Sequence, residues 1–205
     1  MTETAARRGR PGHSLESLLA VAVAVFNERG YEATSMDELA QRAGVTKSAL
    51  YHHVPGKEEL LRLAVDRALD RLFAVTREPE ATTGPAIGRL EHVVRGSVRV
   101  LAAELPFVTL LLRVRGNTDV ERAALERRRE FDRVVSDLVR AAEEEGTVRP
   151  DVDPALIGRL LFGTVNSLAE WYHPGGPLSA DDLADALVAT TFDGLRTGLT
   201  ARAAG

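Results

Sequence analysis

The sequence predicts an all-α protein. Apolar residues recur at helical spacing along most of its 205 residues, no run alternates apolar and polar like a half-buried strand, and caps and breakers such as Gly30, Ser35, Gly44 and Pro55 punctuate the periodic stretches. A chain of this length, 44% hydrophobic, can bury a small module plus a larger one, so two units are expected.

Leu15, Leu18, Leu19, Ala22, Val25 and Phe26 fall on one stripe, and "ERGY" ends that helix with Gly30 at a C′ position. Ser35 and Glu38 in "SMDE" form a capping box for a short helix that Gly44 breaks. Thr46 caps the next, "KSALYHH", which must stop before Pro55 because the residue preceding a proline avoids the α region. A long helix over residues 57–76 carries Glu58 and Glu59 at its positive end, and "REPEATTGP" reads as a loop. Helices then follow over "AIGRLEHVVRGSVRVLAAE", from Pro106, over residues 119–145, 154–172 and 179–199, for a total of about nine. The helix starting at Pro106 ends in "RGNT", read as flexible, which makes it the expected moving part of any switch.

Composition restricts function. Net charge is -4, with 26 Lys and Arg against 30 Asp and Glu, so any nucleic-acid contact must be local. The sequence has no Cys, which removes disulfides, thiolate metal sites and thiol catalysis. No signal-peptide pattern and no stretch of 18 apolar residues occurs, so a soluble cytoplasmic protein with no membrane contact is expected. Neither a G-x-S-x-G, a P-loop, nor a G-x-G-x-x-G after a strand is found, and an enzyme is not expected.

Helix, capped helix, glycine turn and short helix is the layout of a helix-turn-helix, whose last helix enters the major groove. Taking ~100° per residue with Leu50 as zero, Thr46 and Val54 lie within about 40° of the buried direction, whereas Ser48 and His52 lie about 160° from it. Tyr51 and Ala49 flank that outward edge at about 100° on either side. Lys47, in the first turn, has a stem long enough to reach a phosphate. Adjacent helical residues point about 100° apart, so His52 and His53 cannot chelate one ion, and no metal is expected. His52 is assigned to DNA, and His53, close to the buried face, to no special role.

The stretch "GYEATSMDELAQRAGVTKSALYHHVPGKEELL" resembles the DNA-binding region of the TetR (TetR/AcrR) family of bacterial transcriptional repressors. The likeness implies an N-terminal helix-turn-helix domain of three helices (residues 14–60), followed by about six helices for effector binding and dimerisation (residues 61–205). It implies double-stranded operator DNA, a small-molecule effector and a second copy as partners, with no cofactor. Positions matching Thr46, Lys47, Tyr51, His52 and Lys57 touch phosphates or bases in that family. Val54-Pro55-Gly56 departs from the usual Phe followed by polar residues, which is expected to change the packing of the turn and not the mode of binding.

Residues 1–62 carry as many acids as Lys and Arg, yet residues 41–57 hold Arg42, Lys47 and Lys57 and no acid. Arg7, Arg8 and Arg10 in residues 1–13 form a flexible basic arm, which serves either to place Arg in the minor groove or as a solubilising tail.

In the C-terminal part, "ALIGRLLFGTVNSLAEWY" and "DDLADALVATTFDGLRTGL" are apolar around much of their girth, so each needs two partners: the monomer core and a symmetry mate. Leu161, Val165, Leu187, Val188 and Leu195 are the expected interface residues. The stretch "NSLAEWYHPGGPLS" resembles a branch of the family that responds to CoA thioesters of catabolic pathways. The expected effector residues are Phe107, Leu111, Trp171 and Tyr172 for apolar contact, and Arg113 and Arg115 for the phosphates of CoA. The Arg run over residues 127–129 reads as a solvated face. The alternative is a repressor of a drug-efflux gene with a lipophilic or cationic effector, recognisable by carboxylates and aromatic rings in its pocket.

Overall fold

In the computed structural model, which describes residues 14–195, the chain forms ten helices and, among those residues, no strand. It divides into two compact units, Met1–Leu63 and Ala64–Gly205. Arg7, Arg8 and Arg10 lie outside the described residues, as does the end of the last helix expected from sequence. No described helix is long and apolar enough to cross a membrane.

The first unit contains α1 (Leu15–Arg29), α2 (Met36–Ala43), α3 (Lys47–His53) and the opening turns of α4 (Lys57–Val75). Leu18, Leu19, Ala22, Val25 and Phe26 are buried as the stripe requires, but Leu15 in the first turn is exposed. Gly30 ends α1 at φ 88°, a left-handed value that disfavours a Cβ. Ser35 accepts from the Glu38 amide at 3.2 Å, yet only half of the expected capping box forms, because the Glu38 carboxylate pairs with Arg29 at 2.8 Å instead. Thr46 accepts from the Ala49 amide at 3.1 Å and starts α3.

The turn between α1 and α2 is held by a lysine. Lys57 Nζ donates to the carbonyls of Tyr31 (3.0 Å), Glu32 (3.2 Å) and Thr34 (3.0 Å), and lies 4.4 Å from the Tyr31 ring centroid. That ring meets Phe26 edge-on. One ammonium thereby ties α4 to the turn and, through Tyr31, to the core of α1.

In the second unit the rest of α4 is joined by α5 (Pro79–Thr82), α6 (Ala86–Ala103), α7 (Leu105–Arg113), α8 (Asp119–Glu144), α9 (Pro154–Trp171) and α10 (Ala180–Leu195). The short α5 replaces the loop expected over "REPEATTGP": Pro79 at its first position has no amide to lose, which favours a helical turn there. Helix α6 is central. Leu90, Val93, Val94 and Val98 are fully buried, and a Cβ on Gly96 would meet Val75 Cγ1 at 2.3 Å, so only glycine lets α4 and α6 approach this closely. Ion pairs fasten its neighbours: Arg95 with Asp185 and Arg99 with Asp181 tie α6 to α10, and Arg127 of α8 grips Asp66 and Asp70 of α4 at 2.7 and 2.5 Å.

The "RGNT" loop is pinned, contrary to the expectation of flexibility. Glu121, 6% exposed, accepts from the amides of Arg115, Gly116 and Asn117 at 3.3, 2.8 and 2.6 Å, and Arg122 donates to the Gly116 carbonyl. A carboxylate with three amide donors is a strong local anchor, so α7 has no loose end there.

Replacing Lys57 by Met keeps most of the stem and removes the ammonium. The expected loss is roughly 1–3 kcal/mol of stability, because three carbonyls lose a charged donor. A urea midpoint unchanged from wild type would contradict this structural role.

Candidate DNA-reading face and effector cavity

Helix α3 buries one side chain, Leu50, and Val54 closes the same core just beyond it, while Thr46, Lys47, Ser48, Tyr51 and His52 are all exposed. Caps at both ends fix this orientation: the Thr46 hydroxyl starts the helix, and extended Val54 (φ -143°) stops it before Pro55. Tyr51 is 46% exposed, a high value for an aromatic residue, and it stands beside His52 on the outward edge. Lys47 pairs with Asp37 of α2 at 2.9 Å, and this hydrogen bond raises its pKa above the ordinary lysine value.

Two expectations change in this unit. Lys57, expected at DNA, instead directs its ammonium at three carbonyls of the α1–α2 turn, a structural role that the sequence does not announce. His53 is exposed rather than close to the core, with its ring edge-on to His52 at 5.8 Å. Among the described residues the cluster able to offer three cation ligands is Glu78, Glu80 and His92 in the second unit, where Glu78 already hydrogen-bonds His92 at 2.6 Å; neither His52 nor His53 belongs to it.

The second unit holds a partly open cavity of about 60 Å³, several times the ~10–15 Å³ that one water needs. Its walls are apolar: Leu72 from α4, Val100 and Leu101 from α6, Val108 and Leu111 from α7. Phe131 and Phe162, edge-on at 5.0 Å, close the side formed by α8 and α9. The polar lining consists of Ser97, whose hydroxyl donates to the Val93 carbonyl at 2.7 Å, and of Arg128, Asp132 and Asn166. Asp132 is exposed as a residue, but its carboxyl loses part of its hydration beside the cavity, which raises its pKa against the opposing pull of Arg128 and Arg159.

Of the expected effector residues, Leu111 lines this cavity and the others do not. Phe107 is buried beneath the Arg67 guanidinium, 4.3 Å from its ring centroid, where Arg67 also binds Glu104. Arg113 and Arg115 are exposed, Trp171 is 50% exposed at the end of α9, and Tyr172 follows it in extended backbone. Sequence reasoning missed Arg128 and Asp132 by treating the Arg run as one solvated face. Their helical phase was the available signal: Arg128 and Asp132 fall at i, i+4 on a stripe shared with Ala124, Phe131 and Val135, all buried.

The residues expected at a subunit interface also turn inward. Leu161, Val165, Leu187 and Val188 are all at most 6% exposed within a single chain, and Leu195 is partly covered, with its carbonyl accepting from the Arg149 amide at 3.0 Å. Both helices do have two apolar faces. Composition cannot say which one the core takes, and the outward set is Leu156, Leu160 and Trp171 on α9 with Ala186, Ala189 and Gly194 on α10.

Comparison with known proteins agrees with this architecture. Residues 18–64 match the family described as "Bacterial regulatory proteins, tetR family", and residues 83–195 match "Tetracyclin repressor-like, C-terminal domain". A crystal structure of SCO3833, a TetR regulator from Streptomyces coelicolor A3, superposes with a TM-score of 0.83 at 54% identity, covering 92% of this chain and 94% of the other. The transcriptional repressor KstR2 of Mycobacterium tuberculosis H37Rv is 30% identical over 87% of this chain and 90% of its own length. AibR, in complex with isovaleryl coenzyme A and operator DNA, superposes with a TM-score of 0.75 at 25% identity over 86% of this chain and 97% of its own. With an N-terminal helix-turn-helix, a second unit that is helical throughout its described residues and both family domains matched, the chain belongs to the TetR family, whose members are DNA-binding transcriptional regulators and not enzymes.

Proposed function

We propose that the protein is a dimeric repressor that grips an operator through the α3 helices of two copies and releases it when a CoA thioester enters the cavity of the second unit. The cavity carries this reading: an apolar recess with polar groups, Arg128 among them, on its rim suits an acyl group attached to a polar carrier. The names of the relatives support it, since KstR2 is a repressor and AibR was crystallised with isovaleryl coenzyme A and operator DNA. Release requires only that the thioester bind better to an arrangement that fits the operator poorly.

On DNA, Ser48, Tyr51 and His52 are the proposed base readers, with Thr46 and Lys47 on phosphates. The described part of the first unit is acidic, with five Lys and Arg against seven Asp and Glu over residues 14–63. Attraction to phosphate therefore depends on few cations, and Arg7, Arg8 and Arg10 of the arm are the proposed supplement. The second copy is proposed to cover Leu156, Leu160 and Trp171 of α9 and the small residues of α10, an apolar surface that a single subunit leaves to water.

One observation favours a second reading, a hydrophobic cation as effector and an efflux gene as target. Asp132 on the rim and the rings of Phe131 and Phe162 in the wall are the groups such a ligand would need.

Tyr51→Ala or His52→Ala is expected to weaken specific operator binding by ~1–3 kcal/mol per half-site while changing non-specific binding little. Footprints identical to wild type from both folded variants would remove these residues from the reading face. Leu160→Arg, on the outward face, is expected to give folded monomers with greatly weakened operator binding, whereas Leu187→Arg buries an unpaired charge and is expected to unfold the subunit; sedimentation and circular dichroism separate the two. For the effector, titrating the operator complex with short, branched and alicyclic acyl-CoAs is expected to weaken it by about 5–150-fold for the matching acyl group. Dissociation by hydrophobic cations, with every acyl-CoA inert, would replace the thioester by the second reading.

A further inference from the structure

The rim of the cavity has a mixed polarity that a simple anion or a simple cation does not explain. Arg128 offers donors alone and a permanent positive charge. Asp132, one helical turn further along α8, offers acceptors when ionised, and Asn166 of α9 offers both. None of these three side chains hydrogen-bonds another described residue, so their polar capacity is available to a ligand. An anion placed against Arg128 is opposed by Asp132. A cation placed against Asp132 is opposed by Arg128 and by Arg159, whose charge reaches the same carboxylate. A neutral group that accepts on one side and donates on the other satisfies both, and a secondary amide has that form: its carbonyl accepts from Arg128 and its N–H donates to Asp132.

We propose that Arg128, Asp132 and Asn166 read a secondary amide in the pantetheine arm of the thioester, while the acyl group fills the apolar cavity behind them. This rests on the thioester reading of the cavity. In a CoA thioester the nearer amide nitrogen is separated from sulfur by two methylenes, so an acyl group held by Phe131, Phe162 and Leu111 carries its amide just outside the apolar walls. The same rim rejects the free acid. A carboxylate gains Arg128 but brings no N–H and meets Asp132 with like charge. A sensor built this way responds to the activated acyl group and ignores its hydrolysis product, without contacting the nucleotide end of CoA for that distinction.

The test uses the full chain. From a panel of acyl-CoAs the best-bound acyl group is transferred to N-acetylcysteamine, whose thioester keeps one amide at the pantetheine position, and to pentanethiol, whose thioester matches that length without an amide. Calorimetry on wild type is expected to favour the amide-bearing thioester by roughly tenfold or more, as for a hydrogen bond to a charged group. In Asp132→Ala the ratio is expected to fall to one or below, and the free acid to bind more tightly than it does to wild type. Asp132→Leu, which likewise offers no acceptor, gives the same readout should the alanine variant fail to melt cooperatively. A wild type that binds the acyl-CoA but does not prefer the amide, or a folded variant that keeps the full preference, overturns the assignment of the rim and leaves the thioester reading standing. A wild type that binds no acyl-CoA overturns both.

Discussion

Helix α6 turns an apolar or small stripe to the core and keeps its Arg and His side chains for the margins, and that decides what can surround it. With Leu90, Val93, Val94 and Val98 closed to water, it has helices on several sides: α5, α7, α8, α9 and α10 pack on it, and Val75 at the end of α4 meets it at Gly96. Its two ends are settled by side chains from other segments. Its first amide, at Ala86, is capped from outside by the Glu145 carboxylate at 2.8 Å, since Pro85 has no side chain able to do so. At the other end Glu104 closes α6 and opens α7, and its carboxylate is engaged by Arg67 at 2.7 Å and faced by Arg71 at 3.7 Å. The cavity lies along the later turns of α6, next to that junction. Its walls on α6 and α7 therefore share one charged pivot with α4, and any group pressing on Val100 or Val108 would act on helices joined at Glu104.

Much of the fold could be read from periodicity and caps, because those signals are local. Ser35, Thr46, Thr118 and Asp153 each accept from the amide three residues on, as their positions before apolar stripes indicate. The outward set on α3 was equally legible, since seven residues between a cap and a proline leave little freedom of phase. What failed depended on distant partners. The sequence holds no mark that the turn carbonyls of Tyr31, Glu32 and Thr34 would converge on Lys57, or that Glu121 would collect the amides of "RGNT". The inner and outer faces of α9 and α10 were confused for a related reason: both are apolar, and only the tertiary neighbours distinguish Leu161 from Leu160.

The cavity residues show a third kind of difficulty. Arg127, Arg128 and Arg129 are consecutive and chemically alike, yet they have three fates. Arg127 clasps Asp66 and Asp70, Arg128 lines the cavity, and Arg129 pairs with Glu126 on the surface. A step of ~100° per residue is enough to send neighbours into different environments. Charge runs on helices are thus better parsed by phase against the buried stripe than by composition.

The Lys47–Asp37 pair has a consequence for how binding responds to ionic strength. A cation that approaches a phosphate usually displaces a condensed counterion from the DNA, and the tally of released ions sets the steepness of the salt dependence. Were Lys47 to meet a phosphate as proposed, it would have to leave Asp37, so the exchange at that position would trade one anionic oxygen for another and leave a free carboxylate beside the duplex. Part of the counterion release is then offset by cation uptake around the abandoned acid. A regulator arranged this way holds DNA less strongly at low salt, in return for an operator affinity that varies less when the ionic composition of its surroundings changes.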